Sequence, residues 1–91
     1  MSDPHVLDVR GLLCPLPVIR TQDLVKTLAA GSLIEVLATD PGVLQDIPAW
    51  CRVHGHELVS TQILDNPQGS DAAQVLVVRL RVQRRAGANA P

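Results

Sequence analysis

The sequence predicts a two-layer α/β sandwich in the order βαβαββ, with two helices on one face of a four-stranded mixed sheet. Three observations predict it. Two stretches with helical spacing are each opened by prolines and followed by a glycine, and four β-rich runs surround them. The last run alternates apolar with partly charged residues, so only one of its faces asks for cover.

His5-Val6-Leu7-Asp8-Val9 reads as a short first strand, interrupted by Arg10-Gly11 before Cys14 and the first helix. Pro15 is suited to start that helix, because its ring fixes φ near the helical value and its missing N–H has no helical partner to lose; Pro17 still falls in the first turn. From Val18 to Ala30, Val18, Thr21, Val25 and Leu28 recur at helical spacing with Leu24 alongside, and Gly31 is the expected left-handed stop. Leu33 to Ala38 forms the second strand, with Ile34, Val36 and Ala38 facing the helices.

Asp40-Pro41-Gly42 repeats the helix-start chemistry, with Asp40 as N-cap. Leu44, Ile47, Cys51 and His54 then share a face and Gly55 closes the helix. Pro48 predicts a bent or short second helix, restarted after a loose first turn. Glu57 to Leu64 is the third strand, and Asp65 to Asp71 is dense in turn formers and reads as a hairpin loop. In the fourth strand, from Gln74 to Gln83, Leu76, Val78, Leu80 and Val82 point one way, opposite Val75, Val77, Arg79 and Arg81. A right-handed crossover makes the first two strands parallel, which brings the Cys14 and Asp40 loops to the same end of the sheet.

A chain of 91 residues that is 46% hydrophobic suffices for one core and not for two domains. Residues 1–83 are expected to form it, with 84–91 as a flexible tail. The core is aliphatic, since Trp50 is the sole aromatic among Phe, Trp and Tyr. Eight basic and nine acidic residues give a net charge of −1, without the positive excess that direct nucleic-acid binding uses. No apolar stretch approaches the ~18 residues of a membrane span, and no export signal opens the chain, so a cytoplasmic protein with no membrane partner is expected. A reducing cytosol keeps the two cysteines as thiols.

Cys14 carries the chemistry in this reading. The first turn of a helix favours thiolate through its free N–H groups and dipole. Pro15 and Pro17 remove two donors, so Leu16 and Val18 N–H remain and activation is partial. The prolines also stiffen the turn and hold the cysteine exposed. Arg10 would add positive charge, and Asp40 would oppose it while serving as helix cap and contact for basic partner surfaces. No histidine lies near Cys14 to act as general base, and position 17 is proline, which excludes a CxxC exchange motif. What remains is a lone thiol that accepts a group and passes it on. Cys51 reads as core. Cys51, His54 and His56 lack a fourth ligand and a shared element, so no metal and no cofactor are expected. Trp50 reads as half-buried packing, with partner docking as its other role.

Leu7 to Ile19 with Cys14-Pro15-Leu16-Pro17, then Gly31, Thr39-Asp40-Pro41-Gly42, Asp46 to Cys51 and Gly55-His56-Glu57-Leu58 resemble the TusA/SirA family of sulfur carriers. The likeness runs from about Leu7 to Val82. It implies that Cys14 takes persulfide sulfur from a cysteine desulfurase or rhodanese-type donor and delivers it to an acceptor protein. In relatives the destinations include tRNA thiolation, cofactor synthesis and oxidative sulfur metabolism. A monomer that docks transiently suits this role, a carrier and not a stand-alone enzyme. Leu16 stands where relatives in tRNA thiolation often have an acidic residue, leaving the surface beside the sulfur more apolar. The alternative is a non-catalytic interaction or regulatory module, including an RNA-binding one, that uses the same surface.

Overall fold

The computed structural model describes residues 3–64 and 74–83. The expected hairpin loop and the tail at 84–91 lie outside them. The elements follow the predicted order: β1 (His5–Asp8), α1 (Leu16–Val25), β2 (Leu33–Ala38), α2 (Val43–His54), β3 (Glu57–Leu64) and β4 (Val75–Arg81). In space the strands run β1-β2-β4-β3. β1 lies parallel to β2, while β4 is antiparallel to both β2 and β3. This is the mixed sheet that a βαβ crossover followed by a hairpin produces.

The core lies between the sheet and the helices. Ile34, Val36 and Ala38 of β2 and Leu76, Val78 and Leu80 of β4 turn inward, as their alternation predicts, and are closed off by Val25, Val43, Ile47 and Cys51. On α1 the buried residues are Pro17, Thr21 and Val25, and on α2 Val43, Ile47 and Cys51, each set four residues apart and therefore on one stripe. Thr21 is buried without penalty because its hydroxyl donates to the Pro17 carbonyl at 2.8 Å. Ile47 is fully buried in this aliphatic core. Ile47→Ala is therefore expected to lower unfolding stability by about 2–5 kcal/mol, read as a reduced midpoint in urea at unchanged slope.

The helices differ from expectation at the end of α1 and along α2, whose N-cap is Gly42 and not Asp40, because the chain enters the helix two residues later. α1 stops at Val25, well before Gly31. Beyond it the bonds tighten to Thr27 N–H on Leu24 O and Leu28 N–H on Val25 O, and the Thr27 hydroxyl donates to the same Leu24 carbonyl at 2.8 Å. A threonine competing for a last-turn carbonyl favours this tapered ending. Gly31 does take a left-handed φ of 91°, but its N–H donates to Val82 O at 2.7 Å, so it forms the turn into β2 and not the helix cap. The second difference is Pro48, which lies inside an uninterrupted 12-residue α2. The entry to α2 is tight, with Val43 N–H on Asp40 O and Leu44 N–H on Pro41 O, and the helix absorbs the one bond that proline forfeits. Gly55, with φ of 79°, ends it as expected.

Among the described residues only one sheet face carries helices. On the other, Arg79 of β4 lies between Glu35 of β2 and Ser60 of β3 in register. Its Nε donates to Glu35 Oε2 at 2.8 Å and a terminal nitrogen to Gln62 Oε1 at 3.0 Å.

Candidate functional site

The parallel pairing of β1 and β2 brings two loops together at the C-terminal ends of these strands. They are tied by two hydrogen bonds, Gly11 N–H to Thr39 Oγ1 at 2.9 Å and Cys14 N–H to Asp40 Oδ2 at 2.7 Å. Gly11 has φ of 85°, a backbone conformation open to glycine, and this turn lets the β1–α1 loop double back onto Thr39. The other Asp40 oxygen accepts from Gly42 N–H at 3.0 Å. One carboxylate thus joins the loop that holds the cysteine to the loop that opens α2. These two N–H bonds hold the Asp40 carboxyl below its ordinary range and keep it charged.

Cys14 is half-buried, packed against the edge of the core, and not fully exposed as the flanking prolines suggest. Its sulfur would lie 3.0 Å from a Cβ placed on Gly42, so the close approach of the two loops depends on the missing side chain there. Pro15 occupies the N-cap of α1 and Pro17 is buried within its first turn, which anchors the helix start to the core. Leu13, Leu16 and Ile19 are exposed and form an apolar collar on the same segment, with Leu13 the most open at 71%.

The electrostatics of the thiol are opposite to the expected activation. Its pKa is pushed from 9.0 up to about 12, first by burial, then by the hydrogen-bonding Asp46 carboxylate and the negative charges of Asp40 and Asp46. One of the two helix donors that were to offset this is spent elsewhere: Leu16 N–H donates to Leu13 O at 2.9 Å. Arg10 is also engaged elsewhere. Its Nε and a terminal nitrogen donate to the two oxygens of Asp8 at 2.8 and 2.7 Å, a bidentate pair that draws Asp8 down to about 2. Arg10 therefore serves its own strand end instead of placing charge beside the sulfur.

Asp46, Gly42, Leu13 and Ile19 are site residues that the sequence reading missed. Asp46 had a legible signal. It stands in the first turn of α2, the helix that starts from the Asp40 loop, and that end of the sheet was already assigned to Cys14. Trp50 sits farther along α2, about 10 Å beyond its first residue at 1.5 Å per residue. Its indole N–H donates to Gln22 Oε1 of α1 at 3.3 Å, and its ring lies against His54 and His56 at 5.1 and 5.0 Å. That arrangement makes it a clasp between helices. His56 Nδ1 accepts from Gln83 N–H at 3.0 Å, and Cys51 is buried, its thiol pushed up to about 11 by burial. Both cysteines are free. Among the described residues no group of three or more His, Cys, Asp or Glu is arranged to hold a metal ion, and no helix is long and apolar enough to cross a membrane.

Fold and site together define a small α/β sandwich that presents one thiol where its parallel strands end. The model of the sulfurtransferase TusA family matches residues 5–70, and the chain belongs to that family of sulfur carriers. It is 51% identical over 57 residues to the sulfur carrier protein TusA of Pseudomonas putida (strain GB-1), covering 63% of this chain and 71% of that one. It is 44% identical over 62 residues to YrkF of Bacillus subtilis (strain 168), whose name proposes a sulfur carrier; the match covers 68% of this chain and about a third of YrkF, 34%. A SirA-like protein from Desulfitobacterium hafniense has the same fold, with a TM-score of 0.64 at 24% identity over 87% of this chain and 97% of that one. The βαβαββ architecture and the family resemblance read from the sequence are thus both correct.

Proposed function

We propose that Cys14 carries sulfur as a persulfide, taking it from a cysteine desulfurase or a rhodanese-type donor and handing it to an acceptor protein. The observation that carries this reading is a half-buried thiol set between the Leu13, Leu16 and Ile19 collar and two carboxylates, at the family's Cys-Pro-x-Pro motif. In the loading step the Cys14 sulfur attacks the outer sulfur of the donor's persulfide. A new S–S bond forms at Cys14, the donor's S–S bond breaks, and the donor cysteine leaves as thiolate and takes up the proton that Cys14 gives up. No net oxidation occurs. Delivery is the same displacement with the roles exchanged, so no cofactor takes part.

Residues 1–83 act as the carrier domain, a monomer that docks transiently in the cytoplasm and feeds tRNA thiolation, cofactor synthesis or oxidative sulfur metabolism. Pro15 and Pro17 shape the turn, and Asp40 fixes its backbone through Cys14 N–H. A regulatory or RNA-binding module on the same surface is less suited, because Asp40 and Asp46 would repel phosphate. The test is intact-mass analysis after incubation with a cysteine desulfurase and free cysteine. A gain of about 32 Da that reductant removes and that maps to Cys14 is expected; no gain, or a gain on Cys51, would overturn the proposal.

A further inference from the structure

The sheet ends in two unlike edges. β1 is four residues long, while β3 runs for eight and lies at the opposite edge, paired on one side to β4. Its other side has no strand partner among the described residues. Along that edge, Leu58-Val59-Ser60-Thr61-Gln62-Ile63-Leu64 holds no charge, no proline and no glycine. Val59 is 41% and Ile63 54% exposed, and Thr61 between them is exposed as well. Sheet edges are ordinarily guarded by shortness, by a charge or proline, or by a bulge. β1 is short, and β3 has only the bulge between Leu58 and Ser60.

The order of the residues says what fits this edge. Read from either end, the segment gives two aliphatic residues, three polar ones and two aliphatic ones. Antiparallel pairing with a second copy about Thr61 sets Ser60 opposite Gln62 and Thr61 opposite itself, with Val59 opposite Ile63 at each end. Opposed residues of such a pair share a face. Thr61 and Ile63 register with the inward Val78 and Leu76, whereas Ser60 and Gln62 register with Arg79 and Val77 on the uncovered face. Polar residues therefore meet polar ones on the wet face. On the helix side threonine meets threonine, and Val59, which the bulge leaves without a counterpart in β4, meets Ile63. One step farther out, Leu58 and Leu64 register with Leu80 and Val75, on opposite faces, so the match ends at five residues.

We propose that β3 is a self-recognition edge, through which two copies of the chain join their four-stranded sheets by antiparallel β3–β3 pairing centred on Thr61. Main-chain hydrogen bonds supply the attraction and the mirrored order of side chains supplies the register. A contact of this length is smaller than a stable interface, so the chain is a monomer when dilute and pairs when concentrated. β1 lies at the far edge of the sheet, which leaves the Cys14 loop that follows it outside the contact.

The experiment is sedimentation equilibrium on the full chain, the parent beside Thr61→Lys and Thr61→Glu. A dissociation constant on the order of 0.1 mM raises the parent's weight-average mass about 1.5-fold between about 10 µM and 1 mM. Each variant alone should stay at monomer mass, because position 61 faces its own copy and like charges then oppose one another. An equal mixture of the two should regain the rise, since lysine now faces glutamate. Urea midpoints close to the parent's show that the exposed position tolerates both changes. A parent mass that stays flat, or climbs past the dimer, would overturn the proposal. So would a lysine variant that pairs like the parent, or a mixture that fails to recover.

Discussion

Replacing Cys14 by serine is expected to abolish the persulfide adduct altogether, while Cys51→Ser retains it. The contrast follows from position. Cys51 is 1% exposed, enclosed by the aliphatic core, and no donor persulfide can reach its sulfur without opening the sandwich. Cys14 lies at the surface junction of two loops, with an exposed collar beside it. Serine fits the same space, and the Asp40 bonds are made to backbone N–H groups, so the variant should fold and keep them. An alkoxide at neutral pH and an O–S bond are both out of reach of this displacement chemistry. Mass spectrometry of both variants after desulfurase treatment reads the result. A surviving adduct on Cys14→Ser would remove the sulfur from this site.

The second large effect is slow chemistry in the free protein. With its pKa near 12 instead of 9.0, the Cys14 thiol is almost wholly protonated at neutral pH. Thiolate is about a thousandfold scarcer than for an ordinary cysteine, but a more basic thiolate is intrinsically more nucleophilic, which recovers part of the loss. The net expectation is alkylation about 30- to 60-fold slower than that of a free cysteine peptide at pH 7.5, with no plateau below pH 11. A plateau near pH 8 in the alkylation profile would contradict the described environment. The linkage to folding has a definite sign. The folded state binds the thiol proton more tightly than the unfolded one, so this group's contribution to stability is present below pH 9 and lost as pH rises through about 12.

The element order was legible because proline and glycine punctuate the chain, and because β4 alternates strictly. Helix ends were less legible. The stop at Val25 depends on the Thr27 hydroxyl competing for Leu24 O, a choice that spacing alone does not reveal. At the site, Cys14 and Asp40 could be placed together from topology, since parallel strands bring successive loops to one end. The electrostatic sign could not. Asp8 lies only two residues before Arg10, and the turn lets it claim the guanidinium with both oxygens. Asp46 enters from a second helix, and Leu16 N–H folds back to Leu13 O. Each of these contacts moves the thiol away from activation, and each depends on side-chain or turn geometry.

The uncovered face of the sheet gives the molecule its social behaviour. A two-layer sandwich leaves a broad flat surface that, in apolar dress, would invite a second sheet to stack on it. The Glu35–Arg79–Gln62 ladder runs across three of the four strands at that place, with Arg79 and Glu35 paired at 2.7 Å. Stacking another copy there would strip water from a salt bridge without offering a replacement. The centre of the face is thereby made a poor seat for a second sheet, held open to water by its own paired charges.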